Sequence, residues 1–362
     1  MRGKQDVPVW THAFLHLCQH NEPTMPTSKQ QTLRRAATIV VFTLAGVAMM
    51  AWLYSDFDFR SLLEVVCHRD HALWMAAALL FGIVANVLRS VRWQMLLGSA
   101  GVEVRLKHAI ELVFISYLIN SVTPRLGELT RCLLLRRGNA AVASRALGTV
   151  VVEKLADVCC LLFVVAAAVT VRWSDTTALL GRMTGGLGQR LPGYAVALII
   201  VGVACLLLAV SIPLRRRLHS FFSNLWRGMS AISRLKSPLR FVLLCAGIWL
   251  SNFLQLFLLV PCFESLSFVG WREALQVFAM ASVGMLLPTP GGAGPWHYAI
   301  IETLTRVHNV GREVARGFAL VTHGLRTLLV MLLGLVAYAT FYGGMFLRAR
   351  RYLRYKHQRN HT

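Results

Sequence analysis

The feature that most constrains this chain is a broken apolar segment, Leu118 to Arg137, with the sequence LINSVTPRLGELTRCLLLRR. Pro124 interrupts it, because proline lacks a backbone donor and clashes with the preceding helical turn. Arg125, Glu128 and Arg131 then follow within seven residues. A charge at bilayer depth costs about 2.5–3.5 kcal/mol, so such residues normally face protein or a water-filled cavity. The segment is therefore either a re-entrant, site-forming break or a loop between two helices whose charges lie in water.

The overall composition is that of a membrane protein. Of the 362 residues, 56% are hydrophobic and only 15% are charged, and several apolar runs reach the ~20 residues that cross a bilayer. A net charge of +22 would suggest a nucleic-acid partner in a soluble domain. Here the excess of Lys and Arg in membrane loops explains the charge, so we expect no nucleic-acid partner. The eight cysteines form no CxxC pair, so neither a zinc site nor a disulfide framework is indicated.

We predict an all-α polytopic membrane protein with about six full spans and two Pro/Gly-broken re-entrant hairpins. The predicted spans are Ala36–Tyr54, Ala72–Leu97, Leu147–Val171, Tyr194–Leu214, Phe241–Phe263 and Arg316–Phe341. The first hairpin consists of Leu106–Thr123 and a return limb, Leu126–Arg137. Twelve helical residues rise only about 18 Å, so this limb is too short to cross the bilayer. The second hairpin contains LLPTPGGAGPWHYAI, residues 286–300, whose prolines and glycines prevent a continuous helix.

The segments around the spans follow from their polarity. A polar cytoplasmic segment, residues 1–35, precedes a transmembrane domain at 36–345, and a basic cytoplasmic tail follows at 346–362. Residues 1–24 are interpreted as either an extension or part of an over-long gene model, because the sequence from Met25 is typical of a start before a first membrane helix.

Two details of the second span and the loop before it are also predicted. Ser55–His71 is expected to be a polar loop. Arg89 and Arg92 are expected to snorkel to the membrane interface with Trp93.

The distribution of positive charge predicts the topology. With both termini in the cytoplasm, 26 of the 38 Lys and Arg residues fall on the inner side and nine on the outer side, with three at membrane depth. This asymmetry is what the positive-inside rule expects. The order of elements in 36–171 then recurs, inverted, in 194–341, which is the pattern of an inverted-repeat transporter. A shift of 166 residues relates Asn86 to Asn252, Pro124 to Pro290, and Asp157 to His323.

A further cluster of charges lies inside the predicted span Leu147–Val171. Lys154 and Asp157 stand at i, i+3 and are predicted to pair, while Glu153 and Asp157 share a helix face at i, i+4. Ionisable residues inside a span indicate a functional site by default. The alternative is a structural ion pair that holds two helices together.

The motifs that carry these residues resemble a known family. They are Asn120-x3-Pro124-Arg125-x-Gly127-Glu128-x2-Arg131, Glu153-Lys154-x2-Asp157, and Pro288-Thr289-Pro290-Gly291-Gly292-x-Gly294. In this order and spacing they resemble the flippase-like membrane domain of lysylphosphatidylglycerol synthases, and equally that domain's stand-alone relatives, over roughly residues 36–345. The resemblance implies a bacterial or archaeal cytoplasmic-membrane protein that moves a lipid between leaflets.

Two departures limit what the resemblance implies. The synthases carry a soluble aminoacyl-transferase domain after the membrane part, whereas this chain ends 20 residues after its last predicted span. We therefore do not expect it to make lysylphosphatidylglycerol. Many relatives also place a Glu shortly after the second glycine cluster, where this chain has Trp296 and His297.

Together these features predict a lipid flippase with a polar headgroup site. The expected substrate-binding residues are Asn120, Arg125, Glu128, Arg131, Glu153, Lys154, Asp157, Pro290, Gly291, Gly292, Gly294, His297, His323 and Arg326. The basic residues at membrane depth would hold a phosphate, since Arg forks match phosphate oxygens. A half-helix beginning after Pro290 would point its N-terminus at the same anion. For His297 and His323, a helix-packing role is an equal alternative.

Other functional classes stay open. No Walker A motif is present, so no nucleotide cofactor is expected, and an ion gradient or the lipid gradient would supply the energy. A membrane transferase acting on a lipid-linked substrate could use the carboxylates and histidines as acids and bases. A third class is a non-transporting subunit that anchors a glycosyltransferase or lipid synthase in the membrane.

Overall fold

The computed structural model describes residues 29–123, 125–135, 140–171, 235 and 237–359. Every regular element within these residues is helical. The α-helices are α1 Lys29–Leu53, α2 Phe59–Cys67, α3 Ala72–Ser99, α4 Leu106–Val122, α5 Gly127–Leu134, α6 Ala140–Val171, α7 Pro238–Phe257, α8 Trp271–Gly284, α9 Pro295–Arg306 and α10 Arg312–Arg359. Short 3₁₀ turns lie at Arg69–His71, Val260–Cys262, Glu264–Leu266 and Pro290–Gly292.

Four helical segments among the described residues are long and apolar enough to cross a membrane. They are Arg69–Ser99, Ala140–Val171, Pro238–Cys262 and Arg312–Gly343. At most 33% of the residues in their most apolar windows are buried inside the protein, so their apolar surface faces outward, where lipid would lie. The prediction of an all-α polytopic membrane protein is confirmed.

These segments account for four of the six predicted spans. The predicted span Ala36–Tyr54 falls on α1, whose apolar part, Thr43–Leu53, is shorter than a full crossing. The predicted span Tyr194–Leu214 lies outside the described residues, as does the loop before it.

The helix pairs of the first half of the chain recur in the second half. The first half pairs α4 with α5 and α5 with α6, and the second half pairs α8 with α9 and α9 with α10. Across the halves, α3 packs on α7, α4 packs on α10, and α8 packs on α6. The shift of 166 residues places Ala72, the start of α3, on Pro238, the start of α7. The recurrence agrees with the predicted half-repeats at 36–171 and 194–341, whose boundaries and inversion stay predictions.

In the first hairpin, α4 ends at Val122 and α5 begins at Gly127. We call residues 123–126 the first break; Pro124 lies outside the described residues. The N–H of Gly127 donates to Asn120 Oδ1 over 2.8 Å. A Cβ atom on Gly127 would lie 1.9 Å from the Ser116 carbonyl oxygen, so only glycine lets the two limbs approach this closely. The return limb ends at Leu134 in the described part of the chain.

In the second hairpin, α8 ends at Gly284 and α9 begins at Pro295, and we call residues 285–294 the second break. The half-helix predicted after Pro290 is present as α9, but it begins at Pro295, because a 3₁₀ turn at Pro290–Gly292 comes first. Gly292 and Gly294 have φ angles of 82° and 92°, which a right-handed helix cannot contain. The N–H of Gly292 donates to the Thr289 carbonyl over 3.1 Å, so it is not available to an anion.

The predicted polar loop Ser55–His71 contains the nine-residue helix α2. The side chain of Asp58 caps it by accepting from the Arg60 N–H over 2.9 Å. Phe59, Leu63 and Val66 recur at i, i+4 and i+7 and are exposed on one face. A short helix with one exposed apolar face is typical of a segment lying at the membrane surface. The loop prediction was wrong because it rested on the number of charged residues and did not consider the helical spacing of the apolar residues between them.

The end of α1 is tied to α10, which holds α1 against the second break. The Tyr54 hydroxyl donates to the Arg316 carbonyl over 3.1 Å, and the Arg316 guanidinium lies 3.0 Å from Asp56. This hydrogen-bonded ion pair holds the pKa of the exposed Asp56 carboxyl below its usual value. Earlier in α1, Gly46 lies beside Thr289 of the second break.

The close approach at Gly127 predicts the first mutational outcome. Gly127→Ala should destabilise the protein by about 3 kcal/mol or more, because the added methyl meets a backbone oxygen that cannot rotate away. Gly98→Ala is the matched control, because this helical glycine has no atom within 4 Å of the added Cβ. Helix propensity should make that change neutral or stabilising by about 1 kcal/mol. Thermal melting of the purified protein in detergent measures both, and equal melting temperatures would contradict the tight packing of the first hairpin.

Candidate functional site at the two helix breaks

A buried ion network joins α3, α5 and α6. Glu153 on α6 has a side chain only 2% exposed, and its Oε2 accepts from Arg131 Nη2 of α5 over 2.6 Å. Its Oε1 lies 3.6 Å from Arg92 Nη2 and 3.9 Å from Arg89 Nη1, both on α3. A buried carboxylate is stable only when it is paired in this way. Three guanidiniums therefore compensate this single carboxylate.

Asp157 lies one turn along α6 and belongs to the same network. Its Oδ1 lies 2.8 Å from Arg92 Nη2 and its Oδ2 lies 3.1 Å from Arg89 Nη1. The predicted common face of Glu153 and Asp157 is therefore observed. The predicted pairing of Lys154 with Asp157 is wrong, because guanidiniums from α3 occupy the carboxylate.

The structure also corrects the interpretation of Arg89 and Arg92. They do not snorkel to the interface, since their side chains are 14% and 0% exposed. Trp93 is buried beside them, and the Arg131 guanidinium lies over its ring, 4.4 Å from the centroid. The sequence signal that would have revealed this network is a matching spacing of opposite charges. One helix carries two arginines at i, i+3, and another helix carries two carboxylates at i, i+4.

A second cluster links the first hairpin to α6. Asn120 Nδ2 donates to Glu128 Oε2 over 3.1 Å, while its Oδ1 accepts from the N–H that begins α5. Lys154 Nζ lies 2.7 Å from Glu128 Oε1. The Lys154 side chain is 51% exposed, so this pair lies at the edge of the buried network.

The two breaks contact each other. Arg125 Nη2 donates to the Leu286 carbonyl over 2.6 Å, which joins the first break to the second. On the other side of the contact, the Cβ position of Gly291 lies 3.8 Å from Cα of Ser121 on α4. Arg125 has a φ of 59°, a left-handed conformation that costs a non-glycine residue roughly 1–2 kcal/mol. A strained residue whose side chain spans both breaks indicates a functional constraint at this point.

The rest of the predicted site surrounds the second break. Pro290, Gly291 and Gly292 form its 3₁₀ turn, and Gly294 precedes α9. His323 Nε2 lies 3.0 Å from the Gly291 carbonyl oxygen. The buried ring of His297, in the first turn of α9, lies 4.6 Å from the His323 ring, centroid to centroid.

Arg326, like Arg125, has no carboxylate partner among the described residues. It is half-buried on α10, and its Cζ lies 5.9 Å from the centroid of the Trp296 ring. The ring of Tyr117 on α4 lies 5.9 Å from Arg89 Cζ. Within the described residues, Arg326 makes no ion pair and no hydrogen bond.

The charges around the two breaks do not cancel. The cations are Arg89, Arg92, Arg125, Arg131, Lys154 and Arg326, and the anions are Glu128, Glu153 and Asp157. Three guanidiniums face Glu153 and Asp157, and in the described part of the chain neither Arg125 nor Arg326 has a carboxylate partner, so these residues share the excess positive charge. The arrangement can attract an anion.

A family model described as the lysylphosphatidylglycerol synthase TM region matches residues 36–334. The chain belongs to this family. The match confirms the predicted resemblance, and it covers the membrane region of the lysylphosphatidylglycerol synthases. No curated protein and no solved structure matches the chain.

Substitutions of the neighbouring residues Glu153 and Lys154 should destabilise the protein by very different amounts. Glu153→Gln leaves Arg131 and its neighbours buried without full compensation and should cost about 3–5 kcal/mol. Lys154→Gln breaks a half-exposed pair and should cost about 1 kcal/mol or less. Thermal melting in detergent measures both changes. Equal losses would show that the network is no more buried than the pair at its edge.

Proposed function

We propose that this protein is a lipid flippase that moves a phospholipid with an anionic headgroup between the leaflets of a cell membrane. The observation that carries the proposal is the uncompensated Arg326 guanidinium beside two helix breaks that contact each other. An isolated cation at this depth is costly unless a ligand or water compensates it. A phosphate diester supplies one negative charge and two acceptor oxygens for the planar guanidinium fork.

Two of the residues predicted to hold the phosphate are already paired with carboxylates. Arg131 and Lys154 were both predicted to bind it, but their charges compensate Glu153 and Glu128. Arg125 carries a charge with no carboxylate partner in the described part of the chain, and it is exposed at the junction of the breaks. The proposed headgroup contacts are therefore Arg326 at depth and Arg125 at the entrance.

The breaks give the headgroup a polar route. Irregular backbone is tolerated at membrane depth only where protein buries it or where it lines a cavity. Both breaks present backbone carbonyls and polar side chains in place of a continuous apolar helix. A headgroup that passes beside them keeps its acyl chains in lipid, against the exposed apolar faces of the long helices.

The remaining parts of the proposal concern location and energy. Membership of the family favours the cytoplasmic membrane of a bacterium or archaeon, and the charge asymmetry of the sequence favours both termini in the cytoplasm. No Walker A motif is present in the sequence, so an ion gradient or the lipid gradient drives transport.

Lipid transfer in proteoliposomes tests the proposal. Wild type should bring fluorescent phosphatidylglycerol in the inner leaflet within reach of external dithionite, and should do so faster than for fluorescent phosphatidylcholine. Arg326→Gln should slow phosphatidylglycerol transfer by tenfold or more, on the order of the 1.5–3 kcal/mol of a hydrogen bond to a charged group. Arg326→Lys should retain part of the rate, because it keeps the charge and loses the fork.

Arg272→Gln is the matched control. Arg272 also lies over a tryptophan ring, 5.3 Å from the centroid of Trp271, but it is exposed in the first turn of α8. The Arg272→Gln variant should transfer lipid at the wild-type rate. If wild type transfers no lipid above empty liposomes, the flippase proposal fails and the role of a membrane-anchoring subunit for a glycosyltransferase or lipid synthase becomes the better one.

A further inference from the structure

Unpartnered polar atoms concentrate at the second break. Four buried side-chain nitrogen and oxygen atoms that lack a hydrogen-bond partner among the described residues belong to three residues close together in the sequence. They are Thr289 Oγ1, Trp296 Nε1, and both ring nitrogens of His297. Because buried polar atoms are normally satisfied in native proteins, such a concentration indicates a place where something polar binds.

The two imidazoles of this region differ in their hydrogen bonding. His323 lies 3.0 Å from the Gly291 carbonyl oxygen through Nε2, and a carbonyl only accepts, so Nε2 carries the proton. Its Nδ1 lies 3.4 Å from the Thr327 hydroxyl, which can donate to it. His323 is therefore satisfied as a neutral ring. His297 is 1% exposed, and neither of its nitrogens has a partner.

The groups around His297 favour its neutral form when no anion is present. From α10 it faces His323, and one turn further lies the cation Arg326. From the end of α1 it faces Tyr54, whose ring meets it edge-on at 5.7 Å.

The other elements packed around it bring no free carboxylate. On α9, Glu302 is paired with Arg306. The charged residues of α8, Arg272 and Glu273, lie in its first turn, at the end away from the second break. A protonated His297 would thus have two N–H donors and no acceptor, while the positive charge of Arg326 acts on its neighbour His323.

We propose that His297 is a proton-binding site that is occupied together with an anionic phosphodiester at Arg326, so that a proton and a lipid headgroup cross in the same direction. The inference rests on the proposed function for its substrate. A phosphodiester would neutralise Arg326 and offer acceptor oxygens, which removes both obstacles to protonation. By linkage, protonation must then strengthen anion binding by the same factor. The co-bound proton also makes the cargo electroneutral, which spares about 2.3 kcal/mol per charge for every 100 mV of membrane potential.

Proton uptake on anion binding tests this directly, without any transport step. Short-chain phosphatidylglycerol is added to the purified full-length protein in weakly buffered detergent solution at about pH 6, and a pH indicator dye reports protons taken up. Wild type should take up about one proton per bound lipid, and His297→Gln should take up almost none. Dimethyl phosphate, a diester without acyl chains, runs beside the lipid. Proton uptake with both anions supports a site for any phosphodiester. Proton uptake with the lipid alone supports a site for the phosphodiester of a membrane lipid.

An imidazole outside the site is the control. His68 lies at the C-terminal end of α2 with its side chain 57% exposed, and His68→Gln should retain the proton uptake. Thermal melting shows whether each variant is folded. Absence of uptake in wild type, uptake that survives in His297→Gln, or an equal loss of uptake in His68→Gln would overturn the assignment.

Transport separates this inference from the proposed function. Wild-type lipid transfer should be at least about fivefold faster at about pH 5.5 than at about pH 8, and this ratio should approach one in His297→Gln. If wild type transfers lipid at the same rate at both pH values, the proton site is wrong and the flippase stands. If it takes up protons with the anion but transfers no lipid, the flippase is wrong and the linked proton site stands.

Discussion

The contact between the two breaks is the interaction on which the arrangement of this site depends. Backbone that leaves its helix at membrane depth loses hydrogen bonds that no lipid can replace. Here Arg125 of the first break donates to the Leu286 carbonyl of the second, and the turn at Gly291 lies against α4 and accepts a hydrogen bond from His323 of α10. Arg125 makes this contact in a left-handed conformation, which is costly for a residue other than glycine. These contacts bring polar groups from both halves of the chain together.

Around that contact, the two halves carry their charges differently. In the first half, three guanidiniums from α3 and α5 pair with Glu153 and Asp157, so the network holds those helices together. In the second half, the position equivalent to Asp157 under the 166-residue shift is His323, a neutral ring, and Arg326 follows one turn later on α10. The carboxylates of this region therefore lie in the first half, whereas the second half brings a cation that has no carboxylate partner among the described residues.

The sequence could locate the breaks but not all of their partners. Prolines, and the glycines that tolerate a left-handed backbone, mark where helices stop, and these stops lie where predicted. The common face of Glu153 and Asp157 follows from helical spacing alone. The partners of those carboxylates could not be predicted in the same way. Arg89 and Arg92 lie near the end of a span, where local rules favour snorkelling, and only the packing of α3 on α6 makes them buried counter-ions. The start of α9 was misplaced because composition does not show which glycine has a left-handed φ.

The difference between the halves also indicates where the protein can move. Separating α5 from α6 would break the buried pair of Arg131 with Glu153, and leaving a buried charge unpaired costs about 3–5 kcal/mol. The second break is held to the rest of the site by the hydrogen bonds of Arg125 and His323, each worth on the order of 1–3 kcal/mol. A movement that admits a headgroup therefore meets less resistance between the second break and its neighbours than inside the first half. An anion that reaches Arg326 would replace part of what those hydrogen bonds contribute, so the weakest contact lies where the proposed headgroup site is.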